Sequence, residues 1–180
     1  SLEGYLFPET YFLDMKTDER AIIELMVDQF RSVFADSLLE RLGSLDLSLH
    51  QAVTLASIVE REAVAAAERP VISGVFQRRL KLNRRLESCA TVEYALGIHK
   101  KRLTNADLQV KSPFNTYRHR GLPPGPIGNP GRRMPTSVTM MSSGTSQGLA
   151  SMDGSIWNAC ATPTSTGGAA RSRRNPNARS

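Results

Sequence analysis

A run of twenty residues, SPFNTYRHRGLPPGPIGNPG at 112–131, constrains the fold more than any other part of the chain. It contains five prolines and four glycines. These exclude a long helix or a central strand, because proline lacks a backbone donor and glycine weakens either element. The segment also carries Phe114, Tyr117, Leu122 and Ile127, side chains that flexible linkers seldom contain. An ordered, stiff loop is therefore predicted here.

Three other stretches have apolar residues at helical spacing. They cover residues 18–42, residues 48–69 and residues 71–82. Ser48 is a candidate N-cap of the second stretch, and Pro70 stands just past its predicted end. Residues 3–12 alternate aromatic and other side chains, which predicts a strand or an extended segment.

The second predicted helix carries a carboxylate on its apolar face. At about 100° per residue, Leu55, Ile58, Val59 and Ala66 lie within one arc, and Glu62 falls near its middle. Loss of hydration raises the pKa of a carboxyl group, and a general acid that works near neutral pH needs a raised pKa. Two interpretations remain open from the residues alone: a catalytic acid, or a buried glutamate paired with an arginine from elsewhere.

Glu60 stands two residues before Glu62. Side chains at positions i and i+2 of a helix diverge by about 200°, so these two cannot flank one bond as the acid and nucleophile of an ordinary glycosidase. A glycan-cleaving site here would use one carboxylate from this helix. Glu60 is then predicted to orient the site or to form only local hydrogen bonds.

Charge is unevenly distributed along the chain. Residues 1–131 contain 17 Lys or Arg and 16 Asp or Glu, whereas residues 132–180 contain six Arg and one Asp. The net charge of +6 therefore gives little support for an acidic partner of the folded part. A basic cluster lies at Arg78, Arg79, Lys81, Arg84 and Arg85. It lacks interleaved aromatic residues, which favours a solvated helix face over a nucleic-acid site.

The two cysteines, Cys89 and Cys160, stand far apart, and the three histidines show no ligand spacing. Neither a disulfide framework nor a metal site is predicted.

Five blocks in order carry a family resemblance: LEGYLFPETY (2–11), LASIVEREA (55–63), VFQRRLKLNRRLES (75–88), TVEYALG (91–97) and the 112–131 loop. Together they resemble the MltG/YceG family of endolytic murein transglycosylases. The resemblance covers most of residues 1–131, and five ordered blocks make it specific.

The resemblance implies a bacterial lyase of the cell envelope that needs no cofactor and no metal. Family members are anchored in the cytoplasmic (inner) membrane by an upstream helix, with the catalytic domain facing the periplasm or cell exterior. They cut nascent peptidoglycan strands between N-acetylmuramic acid and N-acetylglucosamine and leave a 1,6-anhydro end. The resemblance gives Glu62, the second glutamate of the E-x-E, the role of general acid and then base. Peptidoglycan synthases are candidate partners, and nucleic acid is not expected.

Supporting residues are expected around this glutamate. Asn115 and Tyr117 are candidates for contacting sugar and acetamido groups, or else they are turn residues that satisfy the loop backbone. Ser57 and Glu60 either orient the site or only form local hydrogen bonds.

The expected fold class is α+β, predominantly helical, with a small sheet formed by the N-terminal segment and elements near residues 86–103. Two other functions remain open: a peptidoglycan-binding module without catalysis, and a basic protein associated with nucleic acid.

The chain departs from the family pattern at two places. Cys89-Ala90 stands where members usually have Asp-Pro before the Thr-Val pair. After Gly131 the composition changes: 20 of the 49 residues are Ser, Thr or Gly, which predicts a disordered, low-complexity tail over 132–180. The tail is either a genuine flexible C-terminus or the product of a frameshift just after the Gly131 codon. Nothing in residues 132–180 resembles the helix and strand pair that follow this point in family members, so residues 1–131 are expected to be a partial catalytic domain.

Overall fold

The computed structural model describes residues 1–34, 47–100 and 102–131, and this part of the chain consists of helices joined by ordered loops. The α-helices are α1 (Glu19–Val33), α2 (Leu49–Glu62), α3 (Arg69–Lys81) and α4 (Cys89–Leu96). Single 3-10 turns lie at Ala66–Glu68 and Asp107–Gln109. Helix α2 contacts both α3 and α4, which makes it the centre of the packing.

Helix α2 begins with a capping box. The Ser48 hydroxyl accepts from the backbone N–H of Gln51 at 3.2 Å, and the Gln51 side chain accepts from the backbone N–H of Ser48 at 2.9 Å. Every residue from Ala52 to Val59 is buried, so α2 is covered on all sides by its neighbours. Leu55, Ile58 and Val59 of the predicted apolar face are buried, and the predicted N-cap is confirmed.

The predicted end of this helix is wrong, because α2 ends at Glu62 rather than at residue 69. Ala63 has an extended backbone, with φ of −75° and ψ of 119°. Its N–H still donates to the Val59 carbonyl at 3.0 Å, which closes the last turn. Ala66, which the sequence placed on the apolar arc, lies exposed in the following 3-10 turn.

The break before α3 is satisfied by a side chain. The Glu68 carboxylate accepts from the backbone N–H groups of Val64 and Ala65, at 3.1 and 3.0 Å. Pro70 lies in the first turn of α3, where a missing backbone donor is harmless. Pro70 therefore marks the start of α3, whose predicted range of 71–82 is otherwise close to the observed one.

No β-strand occurs in residues 1–34, 47–100 or 102–131, so the described fold is helical and the predicted small sheet is absent from it. The region near 86–103 instead contains α4, which is followed by Gly97 in the left-handed conformation. At the N-terminal segment, the Asn129 side-chain oxygen accepts from the backbone N–H groups of Gly4 and Leu6, at 2.6 and 3.3 Å. A side chain thus satisfies backbone groups that a strand ladder would otherwise pair.

The 112–131 segment is an ordered loop that lies against α2, as its apolar residues predict. Ile127 is fully buried, and its N–H donates to the Ser57 hydroxyl at 3.0 Å. The Ile127 carbonyl accepts from Arg61 at 3.2 Å, and the Pro124 carbonyl lies 3.0 Å from Nε2 of His50.

Helix α1 closes the core with aromatic contacts. Phe30 packs edge-on against Tyr5 at 5.2 Å between ring centroids, and Phe34 lies 6.2 Å from Phe7. The rest of the predicted 18–42 stretch, and the predicted tail at 132–180, fall outside the described residues. In the described ranges, none of the helices is both long enough and apolar enough to cross a membrane.

Candidate active site

Glu62 is the last residue of α2, and its side chain reaches the N-terminal end of α4. The Ser88 hydroxyl donates to Oε1 of Glu62 at 2.5 Å, and the backbone N–H of Ala90 donates to the same oxygen at 3.1 Å. Ser88 is the N-cap residue of α4 but makes no side-chain capping bond of its own. The carboxylate of Glu62 therefore occupies the position that a capping side chain normally fills.

Burial raises the pKa of the Glu62 carboxyl above its ordinary value. The hydrogen bonds from Ser88 and from the backbone of Ala90 and Cys89 act in the opposite direction, and the negative charge of Glu93 adds to the rise. The net effect is a carboxyl that keeps its proton to higher pH than an exposed glutamate does.

Both protonation states of Glu62 have local support. Poor hydration favours the protonated form, whereas the two donors and the positive end of the α4 dipole favour the carboxylate. A group that gives a proton and then takes one back needs this balance.

A buried hydroxyl network holds Ser88 in place. The backbone N–H of Ser88 donates to the Thr116 hydroxyl at 3.0 Å, and its carbonyl accepts from the Thr91 hydroxyl at 2.7 Å. The hydroxyls of Thr91 and Thr116 lie 2.8 Å apart, and all three residues are buried. The 112–131 loop thus fixes the residue that contacts Glu62.

The sequence interpretation missed Ser88, Thr91 and Thr116. The available signal was their membership of three of the five family blocks. Thr116 is 28 positions from Ser88 and 25 from Thr91, and local periodicity does not indicate hydrogen bonds between residues so far apart.

Glu60 points away from Glu62, as the helical geometry predicts. Arg69 donates to Oε1 of Glu60 at 2.7 Å, and both side chains are about one-fifth to one-third exposed. The sequence left open that Glu62 pairs with an arginine; in the structure it is Glu60 that forms such a pair, with Arg69. Glu60 and Glu62 do not form a pair of carboxylates on one bond.

Two of the predicted supporting residues are engaged within the fold. Ser57 is fully buried; its hydroxyl donates to the Thr54 carbonyl at 2.8 Å and accepts from the loop backbone at Ile127. Asn115 is also fully buried; its amide nitrogen donates to the carbonyls of Leu108 and Val110, at 3.0 and 2.9 Å. These contacts support the structural alternative for both residues.

Tyr117 is the more accessible of the candidate residues in the 112–131 loop. It is half-buried, and its hydroxyl lies 3.2 Å from the sulfur of Cys89. Its backbone N–H donates to the Asn115 side-chain oxygen at 3.0 Å. Tyr117 also lines a depression of about 470 Å³, so it is exposed to a ligand on that side.

The site offers one carboxyl group, held by two donors at a helix N-terminus, that can exchange a proton. Glu93, the other carboxylate that influences its pKa, lies 2.8 Å from Nδ1 of His99 and accepts from the backbone N–H of Lys100. In the part of the chain that the structure describes, no three His, Cys, Asp or Glu side chains are grouped so as to hold a metal ion.

Comparison with known proteins gives concordant matches. The model of the YceG-like family matches residues 1–142. An endolytic murein transglycosylase from Bacillus subtilis (strain 168) is 44% identical over 131 residues, which are 72% of this chain and 36% of that protein. One from Streptococcus pneumoniae serotype 2 (strain D39) is 34% identical over 137 residues, covering 72% of this chain and 24% of that protein.

A crystal structure of a putative YceG-like protein from Listeria monocytogenes matches with a TM-score of 0.72 and 40% identity. The match covers 79% of this chain and 47% of that one, so the chain spans less than half the length of each of these relatives. The family match extends over all five sequence blocks, which confirms the resemblance drawn from them. The chain belongs to the YceG-like family.

Proposed function

We propose that this chain is the catalytic part of an endolytic peptidoglycan lytic transglycosylase, with Glu62 acting as general acid and then as base. The proposed reaction cleaves the bond between N-acetylmuramic acid and N-acetylglucosamine within nascent glycan strands and leaves a 1,6-anhydro end. The relatives named endolytic murein transglycosylase support the reaction class. One observation carries the proposal: the Glu62 carboxyl is partly buried, has a raised pKa, and accepts hydrogen bonds from the Ser88 hydroxyl and the Ala90 N–H.

In the first step, protonated Glu62 gives its proton to the glycosidic oxygen. The bond from that oxygen to the muramyl anomeric carbon breaks, and N-acetylglucosamine leaves with a new hydroxyl. The carboxylate that forms is stabilised where it stands, because Ser88 and Ala90 donate to Oε1 and the N-terminus of α4 favours negative charge.

In the second step, the Glu62 carboxylate takes the proton of the muramyl 6-hydroxyl. At the same time, the oxygen of that hydroxyl bonds to the anomeric carbon of the same sugar. Glu62 returns to its protonated form, and the product carries the anhydro ring. No water enters, so the second carboxylate that would activate a water in a hydrolase is not required. The intramolecular hydroxyl acts at high effective concentration, which makes this route efficient.

The setting of the enzyme is part of the same proposal. An upstream helix would anchor the chain in the cytoplasmic membrane, with the catalytic domain outside the membrane and peptidoglycan synthases nearby. The family resemblance supports these features.

The test is product analysis with uncrosslinked glycan strands. We expect the wild-type chain to produce anhydro-ended fragments, identified by mass, and the Glu62→Gln variant to produce none. Glu68→Gln is the matched control, because it makes the same chemical change at an exposed residue that accepts only from turn N–H groups. Circular dichroism must show that both variants are folded.

Each other outcome contradicts the proposal in a different way. Hydrated reducing ends would identify a hydrolase. Binding of strands without cleavage by the wild-type chain would identify a peptidoglycan-binding module. Equal loss of product in Glu68→Gln would remove the special role of Glu62.

A further inference from the structure

A basic pocket of about 590 Å³ is lined by residues of the segment that leads into Ser88, the donor to Glu62. Its charged lining consists of four guanidinium groups, from Arg79, Arg84, Arg85 and Arg120, and one carboxylate, from Glu87. This pocket concentrates positive charge in a domain whose residues 1–131 are nearly neutral overall. Much of the cluster that the sequence assigned to a solvated helix face is therefore placed in a concave site instead.

The base of the pocket is rigid. Arg79 is only 6% exposed; it donates to the Leu86 carbonyl at 2.5 Å and lies 3.3 Å from the Glu87 carboxylate. Asn83 and Glu87 have left-handed backbones, with φ of 50° and 54°, and these uncommon conformations bracket Arg84 and Arg85. The chain is thus turned sharply on both sides of the two exposed arginines.

Two of the four arginines are available to a ligand. In the described part of the chain, Arg85 and Arg120 form no hydrogen bond or ion pair with a protein group. They come from separate segments, the connection between α3 and α4 and the 112–131 loop, and meet at one pocket. The planar fork of a guanidinium matches the oxygens of a carboxylate or a phosphate, so unpaired arginines gathered in a pocket favour an oxyanion.

The pocket adjoins Glu62 through the chain itself. Glu87 lines the pocket, and the next residue, Ser88, donates to the Glu62 carboxylate. A second depression, of about 470 Å³, shares Arg85 and Glu87 and continues to Arg118 and His119. The lining of the basic pocket and the donor to Glu62 are therefore consecutive residues, Glu87 and Ser88.

We propose that this basic pocket binds an oxyanion carried by the glycan polymer, either a carboxylate of its peptide stems or a phosphate attached to the strand. The inference rests on the proposed function, because it takes peptidoglycan as the ligand. The pocket holds the anionic group while the sugar chain lies at Glu62, so it selects strands by their charged substituents.

The experiment measures binding to a Glu62→Gln chain, which leaves the strands intact. The probes are uncrosslinked strands with complete peptide stems, the same strands with their stem carboxylates converted to neutral amides, and the amidated strands with a terminal phosphate. The test variant adds Arg85→Gln and Arg120→Gln. The matched control adds Arg78→Gln, which removes a charge from an exposed residue of α3 outside the pocket lining.

We expect stem-bearing strands, or phosphate-ended strands, to bind about tenfold more tightly than amidated strands, equivalent to about 1.4 kcal/mol. The preference should vanish in the double arginine variant, persist in the Arg78→Gln control, and weaken with added salt. Which of the two strand types shows the preference identifies the source of the oxyanion.

A second measurement does not depend on the variants. Arginine Nε resonances of the wild-type chain are followed by NMR during titration with inorganic phosphate, and those of Arg85 and Arg120 should shift while that of Arg78 does not. Equal binding of all strands by the double variant and the control would overturn the proposal. Tighter binding of duplex DNA than of any strand, lost in the double variant, would also overturn it.

The outcomes separate this inference from the proposed function. If charged strands bind through the arginines but the wild-type chain does not cleave them, the pocket proposal is supported and the lyase proposal is contradicted. If anhydro products form but binding does not depend on the arginines, the lyase proposal is supported and the pocket proposal is contradicted.

Discussion

Replacing Ser88 with alanine removes the shorter of the two hydrogen bonds at Oε1 of Glu62 and leaves that from Ala90. A hydrogen bond to a charged group contributes about 1.5–3 kcal/mol. The lower end, about 1.5 kcal/mol, applies here, because Glu62 is only partly buried and keeps a backbone donor. This free energy is lost from the carboxylate form, so the ratio of ionised to protonated Glu62 falls about tenfold at a given pH.

The sign of the effect on catalysis follows from the role of the protonated form. Burial already raises the pKa of Glu62, and loss of the Ser88 donor raises that pKa further. Because a general acid works while protonated, the alkaline limb of the kcat profile should move to higher pH in Ser88→Ala. Initial rates of anhydro-end formation across pH measure the limb, and carbon-13 NMR of the Glu62 carboxyl measures its titration independently of turnover.

Ser57→Ala is the matched control for this change. It removes another fully buried hydroxyl, on α2 itself, but one that bonds to Thr54 and Ile127. We expect it to lower the free energy of unfolding by about 1–3 kcal/mol, because the Ile127 N–H loses its acceptor, and to leave the Glu62 titration in place. A folded Ser88→Ala variant that titrates like the wild type, or an equal shift in Ser57→Ala, would show that Ser88 does not control the ionisation of Glu62.

Three further predictions concern the fold. Gly4→Ala places a Cβ 2.4 Å from Cγ of Pro126 at a residue with φ of +92°, so urea denaturation should show a loss of about 2 kcal/mol or more; an unchanged midpoint would contradict this packing. Ile127→Ala empties a fully buried position against α2 and should lower the free energy of unfolding by about 2–5 kcal/mol; a loss well below this would mean that the loop does not pack there. The raised pKa of Glu62 stabilises the wild type below the unfolded-state pKa, and this contribution is lost as pH rises through the folded-state pKa. The stability of Glu62→Gln relative to the wild type should therefore increase with pH over that window, and parallel stability curves would contradict the shift.

The core of α2 was predictable because local periodicity determines it. Leu55, Ile58 and Val59 repeat at helical spacing, and all three are buried. The end of the helix was not predictable in the same way, because residues 63–67 read AVAAA and alanine favours helix. Pro70 is compatible with a helix end or a helix start, and the contacts of Glu68 decide for the start.

The burial of Glu62 was predictable, but its partners were not. Ser88 and Ala90 lie 26 and 28 residues further along the chain, beyond the reach of any helical pattern. Helix α4 has only eight residues, includes β-branched Thr91 and Val92, and takes its cap from α2. A helix capped from a distance leaves almost no signal at its own start.

The central claim is that one carboxyl group and an internal hydroxyl cleave the glycan, and the fate of water oxygen tests it most directly. The wild-type chain is incubated with uncrosslinked strands in water enriched in oxygen-18, and the new muramyl ends are analysed by mass. We expect new ends that are one water lighter than a reducing end and that carry no oxygen-18. Oxygen-18 in the new ends, abolished in Glu62→Gln, would contradict it, because Glu62 would then be activating water.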